Sequence, residues 1–193
     1  MMMGIGEPLD NYDNVIKFIR LISDEKGFNI GQRHISLSTC GIVPNIYRLA
    51  KEDLGVTLSI SLHAVNDTER REIMPIANKY SIDELMLATA DYFDTTGRRI
   101  SFEFTLIKGK NDDKAHAEAL AKLMHKYFDK KPVHVNIIPV NAVDGRGFTA
   151  SPNASAFAAM LNSKGINATV RRTLGSDISA SCGQLRNSRR AAD

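Results

Sequence analysis

Residues 56–64 read Val-Thr-Leu-Ser-Ile-Ser-Leu-His-Ala, and this stretch decides the fold. Its first part alternates apolar and polar residues, which is typical of a β-strand, and the polar signature Ser61-Leu62-His63 follows it. Three other β-rich runs also end in polar signatures: residues 34–37 before Ser38-Thr39-Cys40-Gly41, 100–107 before Gly109-Lys110-Asn111-Asp112, and 133–138 before Pro139-Val140-Asn141. A parallel α/β barrel builds its site from the loops that follow its strands. The repetition therefore predicts one concave site assembled from distant parts of the chain.

Helical patterns separate the β-rich runs, and a short fifth strand is predicted over residues 167–172. The predicted helices cover residues 11–26, 44–50, 68–73, 81–96, 113–128 and 151–165. Ser81 with Glu84 forms a capping box at the start of the fourth helix. Strands that alternate with helices give a parallel sheet with right-handed crossovers.

The predicted fold class is α/β, a partial parallel (β/α) barrel over residues 1–174, with residues 175–193 as a C-terminal loop and tail. The signature at residues 4–8 ought to follow a strand, yet only Met1, Met2 and Met3 precede it. We therefore expect the first strand to be missing or reduced, either because these methionines are its stub or because the chain is a fragment.

Composition is that of a soluble globular protein, with 43% hydrophobic and 24% charged residues. No apolar run approaches the roughly 20 residues of a membrane span, so no membrane association is expected. Two cysteines far apart argue against a disulfide framework and favour the cytoplasm. The net charge of +3 is concentrated from Arg171 onward, where a basic segment either contacts nucleic-acid phosphates or is a solvated tail.

Gly4-Ile5-Gly6-Glu7-Pro8 contains two glycines that let a ligand approach the backbone closely. Glu7 is then placed to accept hydrogen bonds from a bound ammonium group. A plain tight turn explains the same residues, and both interpretations remain open at this point.

Ser38, Ser61 and His63 stand at strand ends, where they serve either a site or simple backbone satisfaction. A serine with a histidine suggests a hydrolase, but the nucleophile motif Gly-x-Ser-x-Gly is absent. His63 has no metal-ligating residues near it in sequence, so no metal site is predicted. Glu103 lies within a strand, and we expect it to face the barrel interior and to pair with a basic side chain.

Cys182 lies in a segment of small residues with Arg172 and Arg186 near it in sequence. Nearby cations lower a thiol pKa and favour the nucleophilic thiolate, although a bystander cysteine remains an equal alternative. Cys40, beside a strand end, is expected to be a small buried residue.

Taken together, these signatures resemble the RlmN/Cfr family of radical S-adenosyl-L-methionine (SAM) RNA methyltransferases. The matching strings occur in the family's order and cover residues 4–12, 34–44, 59–64, 73–80, 102–112, 134–141 and 171–185. The resemblance implies a partial barrel of the radical SAM type and a cytoplasmic enzyme, expected to be a monomer.

The resemblance further implies methylation of carbon 2 of adenosine in large-subunit (23S) rRNA and in tRNA. It implies that SAM is held by Gly6, Glu7, Ser38, Ser61, Leu62, His63 and Asn141. Cys182 matches the cysteine that is S-methylated and carries the methyl group to the base. The family also uses a 4Fe-4S cluster, which generates the radical for a chemically resistant carbon.

This sequence departs from the family in three respects, since the resolving cysteine just upstream and the N-terminal RNA-binding domain are missing as well as the cluster cysteines. The cluster cysteines, spaced Cys-x3-Cys-x2-Cys, are absent, so the chain alone is expected to be inactive. Three alternatives stay open: a non-catalytic SAM- or RNA-binding remnant, a Cfr-type fragment acting on carbon 8, and a small-molecule barrel enzyme in which Lys108 forms an imine.

Overall fold

The computed structural model describes residues 1–3, 6–140 and 148–171. Its strands form one parallel five-stranded sheet in the order β1-β2-β3-β4-β5. The strands are β1 Ser36–Thr39, β2 Thr57–Ser61, β3 Ile100–Leu106, β4 Val133–Pro139 and β5 Asn167–Val170. The helices are α1 Tyr12–Ser23, α2 Val43–Ala50, α3 Asp67–Ile73, α4 Ile82–Thr96, α5 Lys114–Phe128 and α6 Ala154–Ser163.

The strand order follows the chain without reversal, and this fixes where the helices lie. Right-handed crossovers between successive neighbours put every connecting helix on the same side of the sheet. Ring contacts from β3 agree, because Phe102 packs on Phe128 of α5 and Phe104 stacks on Phe157 of α6. Within the described ranges, the architecture is therefore that of a barrel wall, with the helices on one side of the sheet.

The opposite side of the sheet is polar. Alternation along the strands places these residues there: Ser36, Ser38, Thr57, Ser59, Ser61, Ser101, Glu103, Thr105, His134, Asn136, Ile138, Asn167 and Thr169. We call this set the polar face. Strands β1 to β4 end at Thr39, Ser61, Leu106 and Pro139. We call the end of the sheet formed by these C-terminal strand ends the carboxyl edge.

Local sequence signals account for several boundaries. Ser81 and Glu84 form the predicted capping box of α4, and Gly97 ends that helix with φ of 63°. Asp113 accepts the His116 N–H and caps α5.

Two boundaries differ from the predictions for physical reasons. β1 begins at Ser36 because residues 32–34 form a 3₁₀ turn. Helix α1 stops at Ser23 rather than near Lys26, because Asp24 is extended and its carbonyl accepts the Gly27 N–H.

The reduced first strand is confirmed as a stub. Met2 bridges Leu37 in parallel, donating its N–H to the Ser36 carbonyl at 2.7 Å and accepting the Ser38 N–H at 3.3 Å. The chain therefore starts along the open edge of β1.

None of the helices in the described ranges is long and apolar enough to cross a membrane.

Candidate functional site

The structure brings most of the predicted site residues to the carboxyl edge. Ser38 is the penultimate residue of β1, Ser61 ends β2, and Leu62 and His63 follow directly. Glu7 reaches the same edge through a contact with Cys40. Asn141 and Cys182 lie outside the described residues, so their assignments stay predictions.

Glu7 has a structural task in addition to the predicted one. One carboxylate oxygen accepts the Leu9 N–H at 2.9 Å and caps the turn Pro8–Asn11, and the other accepts the Cys40 N–H at 2.6 Å. These bonds tie the loop after the strand stub to the loop after β1. A carboxylate has about four lone-pair positions, so these contacts leave acceptor capacity for a ligand donor.

His63 has an unusual backbone for a residue with a side chain, with φ of 59°. Its ring turns back to the sheet, and Nδ1 accepts the Thr105 N–H at 3.1 Å. Beyond the end of β2, the Thr105 N–H of β3 has no β2 carbonyl to pair with, and the His63 ring takes the place of that acceptor. Because Nδ1 is an acceptor, the ring proton resides on Nε2, which is a donor. Burial, together with the charge of Arg70, lowers the His63 pKa to about 4, so the ring is neutral near pH 7.

The signature Gly109-Lys110-Asn111-Asp112 closes the end of β3. Asn111 accepts the Ile107 N–H at 2.7 Å and donates to the Thr105 carbonyl at 2.9 Å. Asp112 accepts the Gly109 N–H and the Ser151 hydroxyl. These contacts show a structural turn that supports the strand end beside His63.

Arg70 is a site residue that the sequence predictions missed. It is fully buried, and its guanidinium donates to the carbonyls of Cys40, Ser61 and Leu62. It lies in the charged string Glu69-Arg70-Arg71-Glu72, which is typical of an exposed helix. One sequence signal for its burial exists: Arg70 lies three residues before the apolar Ile73, which places both residues on one face of the helix.

Glu103 corrects a prediction. It lies on the polar face as expected and is 5% exposed. Its partners are neutral, however: the Ser101 hydroxyl at 3.0 Å and the Asn136 amide at 2.7 Å. The predicted pairing with a basic side chain is wrong for the described part of the chain, because the donors are Ser101 on the same strand and Asn136, the register partner of Glu103 on β4.

Cys40 is half-buried rather than fully buried. Burial raises the pKa of its thiol to about 12, and the Glu7 carboxylate adds to this effect by hydrogen bonding and charge. The thiol is therefore protonated and unreactive near neutral pH.

The residues at the carboxyl edge fit SAM. Gly6 has φ of 91°, and no atom lies within 4 Å of the place where its Cβ would stand, so a ligand can reach its backbone. Serine hydroxyls and the His63 Nε2–H supply donors and acceptors around the same edge, suited to the hydroxyl, amino and purine groups of SAM.

A 4Fe-4S cluster does not fit the residues that the structure describes. Such clusters take three or four thiolates, whereas the described ranges contain no group of three or more potential metal ligands. The only cysteine in those ranges, Cys40, is held protonated.

We therefore expect this chain to take up no stoichiometric cluster when it is reconstituted anaerobically with iron and sulfide. The measurement is iron per chain together with visible absorbance, compared with a variant carrying Cys40→Ser and Cys182→Ser. Equal, low iron in both proteins is the expected result. About four irons per chain, lost in the double variant, would contradict the lack of fit.

Comparisons with known proteins point to one family. The model of the radical SAM superfamily matches residues 1–121. A protein of Clostridium botulinum strain Alaska E43, named probable dual-specificity RNA methyltransferase RlmN, is 55% identical over 190 residues, covering 97% of this chain and 54% of that protein. A protein of the same name from Clostridium acetobutylicum is 54% identical over 188 residues, covering 96% of this chain and 53% of that protein. The chain thus spans about half the length of these relatives.

Solved structures agree with the fold. A radical SAM methyltransferase from Sphaerobacter thermophilus superposes with a TM-score of 0.88 at 44% identity, over 95% of this chain and 53% of that one. A domain of pyruvate-formate lyase-activating enzyme from Bacteroides vulgatus gives a TM-score of 0.63 at 15% identity, over 88% and 99% of the two chains, and shows the fold alone. The predicted fold class and the resemblance to RlmN are confirmed.

Proposed function

We propose, because this chain belongs to the radical SAM superfamily, that it is part of a methyltransferase acting on carbon 2 of adenosine in 23S rRNA and tRNA. The cofactor prediction follows the superfamily, whose members use SAM and a 4Fe-4S cluster. The similarity to proteins named dual-specificity RNA methyltransferase RlmN supports the RNA substrate class. SAM supplies the methyl group when it is bound.

The observation that carries this proposal is that the polar face continues without a break into the polar residues at the strand ends. Ser61 lies beside Glu103 in register, and Ser38 lies beside Ser59. A polar inner wall that ends in Ser38, Ser61 and His63 suits a cofactor with polar groups along its whole length. Within this proposal Gly6, Glu7, Leu62 and Asn141 complete the SAM contacts.

Cys182 is proposed as the residue whose thiolate carries the methyl group as S-methylcysteine. The proposed division into a barrel over residues 1–174 and a tail over 175–193 puts this residue outside the sheet. The arginines around it in sequence favour both a thiolate and contact with RNA phosphates. RNA modification and the wide separation of the two cysteines in the sequence are both consistent with a cytoplasmic protein.

The small-molecule alternative has no support from the structure. Lys108, its candidate imine former, is exposed, whereas an imine-forming lysine is activated by desolvation in an apolar pocket or by a neighbouring cation. The relatives named RlmN favour carbon 2 over the carbon-8 alternative.

Replacing Ser61 and Asn141 together by alanine is expected to weaken SAM binding by at least about tenfold, because hydrogen bonds to the ligand are lost. The measurement is calorimetric titration of the full 193-residue chain with SAM. The matched control carries Thr95→Ala and Ser163→Ala, both exposed residues at the ends of α4 and α6, which lead into the starts of β3 and β5. Equal affinity of the two double variants would show that the assigned pocket is wrong, and absence of binding by the unaltered chain would contradict the SAM assignment itself.

A further inference from the structure

We infer that Arg70 is a positioning residue of the ligand site: its guanidinium holds the turn after β2 in the shape that presents Ser61, Leu62 and His63. The consequence for ligand affinity rests on the proposed function. The positioning itself is a property of the chain without ligand.

The contacts of Arg70 join two segments of the carboxyl edge. Its Nε donates to the Leu62 carbonyl at 3.1 Å, and its Nη2 donates to the Ser61 carbonyl at 3.1 Å and the Cys40 carbonyl at 2.8 Å. These carbonyls lie beyond the pairing of β1 with β2, which ends at Thr39 and Ile60. A rigid planar group with donors at fixed angles therefore sets two loop starts relative to each other.

Burying the charged guanidinium of Arg70 to hold three carbonyls carries a large desolvation cost. In the described part of the chain no carboxylate lies within salt-bridge distance of it, and its Nη1 is buried with no hydrogen-bond partner. A buried charge of this kind usually adds less stability than apolar packing of the same volume. Burial also lowers the pKa of this guanidinium. The arrangement is better explained by the geometry that it enforces than by stability.

The turn that Arg70 holds contains the strained residue of the site. Leu62 and His63 both donate their N–H groups to the Glu103 carbonyl, at 3.0 and 3.3 Å. On the other side of the same peptide units, Arg70 holds the Leu62 carbonyl. Anchored on both sides, the chain keeps His63 in the left-handed region that side chains otherwise avoid. This conformation brings the ring to the Thr105 N–H and leaves Nε2–H as a donor.

Helix α3, which carries Arg70, is held by a cap at its N-terminus and by a contact with helix α5. Asn66 caps α3 by accepting the Glu69 N–H at 2.9 Å. Glu69 also contacts His116 of α5, whose other ring nitrogen lies 2.8 Å from Asp113. The guanidinium is thus delivered from a helix with a defined position.

The experiment compares the ligand-free chain with its Arg70→Lys variant, using Arg71→Lys as the matched control. Arg71 is the next residue of α3 and is exposed. Lysine keeps the charge but cannot place donors at both the Nε and Nη2 positions. The readouts are the ¹⁵N shifts of the His63 ring, which report its tautomer, the hydrogen exchange of the Thr105 amide, and SAM affinity by calorimetry.

In the unaltered chain we expect one Nε2–H tautomer of His63 and a protected Thr105 amide. In Arg70→Lys we expect a mixture of tautomers, Thr105 exchange faster by about tenfold, and SAM affinity lower by about tenfold, each the equivalent of roughly one hydrogen bond. Arg71→Lys should match the unaltered chain in all three readouts.

A purely structural role of Arg70 would lower the global stability of Arg70→Lys but leave these readouts unchanged in the folded molecules, and that result would overturn the inference. If Arg70→Lys does not fold, the unaltered chain still decides, because a charged or Nδ1–H ring near neutral pH is incompatible with the inference. If the unaltered chain binds no SAM, the proposed function fails, whereas the His63 and Thr105 readouts still decide the positioning role.

Discussion

Replacing Gly41 by alanine is expected to lower the free energy of unfolding by about 3 kcal/mol. Gly41 has φ of 104°, a region that L-residues rarely adopt, and an added Cβ would lie 2.8 Å from Cδ1 of Leu85 in the core. The same Cβ would lie 3.5 Å from Nη2 of Arg70. Backbone strain and overpacking therefore act together at this position. The measurement is urea unfolding followed by circular dichroism, since the chain has no tryptophan.

Gly97→Ala is the matched control for this prediction. Gly97 has φ of 63°, but no atom lies within 4 Å of its added Cβ. Only the backbone cost of alanine in the left-handed region remains, about 1 kcal/mol. If the two variants lose equal stability, then the Leu85 side chain moves aside without a measurable cost in free energy. The close packing of the loop after β1 against α4 would then contribute little to stability.

The order of elements could be predicted because each one carries its own local signals. Helix α4 has a complete capping box and a terminal glycine, and α5 has an apolar stripe with Asp113 as its cap. Strand β2 alternates along its length. Such signals depend on residues a few positions apart, so they are visible in the sequence without any knowledge of tertiary contacts.

The burial of Arg70 could not be predicted in the same way. Its partners are the carbonyls of Cys40, Ser61 and Leu62, which are 30, 9 and 8 residues away. Backbone carbonyls carry no sequence signature, so no pattern identifies them as the acceptors of a distant side chain. The partners of Glu103 within the described residues could not be predicted for a related reason, because Ser101 and Asn136 are neutral donors that only the strand geometry brings to its carboxylate.

The positions of Ser38, Ser61 and His63 at the carboxyl edge follow from strand ends that the sequence marks well. What the sequence does not show is how His63 is used. Its left-handed backbone and its bond to Thr105 arise because β2 ends at Ser61, paired with Glu103, whereas β3 continues to Leu106. The sequence thus predicted that these residues lie together at the carboxyl edge, and the structure adds which ring nitrogen of His63 carries the proton.

Cys182 is expected to react with iodoacetamide at pH 8 at least about a hundredfold faster than Cys40. The Cys40 thiol, with a pKa of about 12, is ionised in only about one molecule in ten thousand at that pH. A thiol of ordinary pKa, near 8.5, is ionised to roughly a quarter. The greater intrinsic nucleophilicity of the more basic thiolate recovers part of the difference, a factor of about thirty. The remaining ratio is about a hundredfold, and partial burial of Cys40 increases it.

The measurement is mass spectrometry of the native chain over a time course, with Cys40→Ser and Cys182→Ser to assign the labelled sites. Glu7→Gln adds an internal check, because removing the carboxylate that helps to raise the Cys40 pKa should speed labelling of Cys40 and leave Cys182 unchanged. A methyl carrier must present a thiolate to an electrophile, and the raised pKa of the Cys40 thiol makes Cys40 poorly suited to that role. Labelling of Cys40 before Cys182 would remove the physical basis for Cys182 as the carrier.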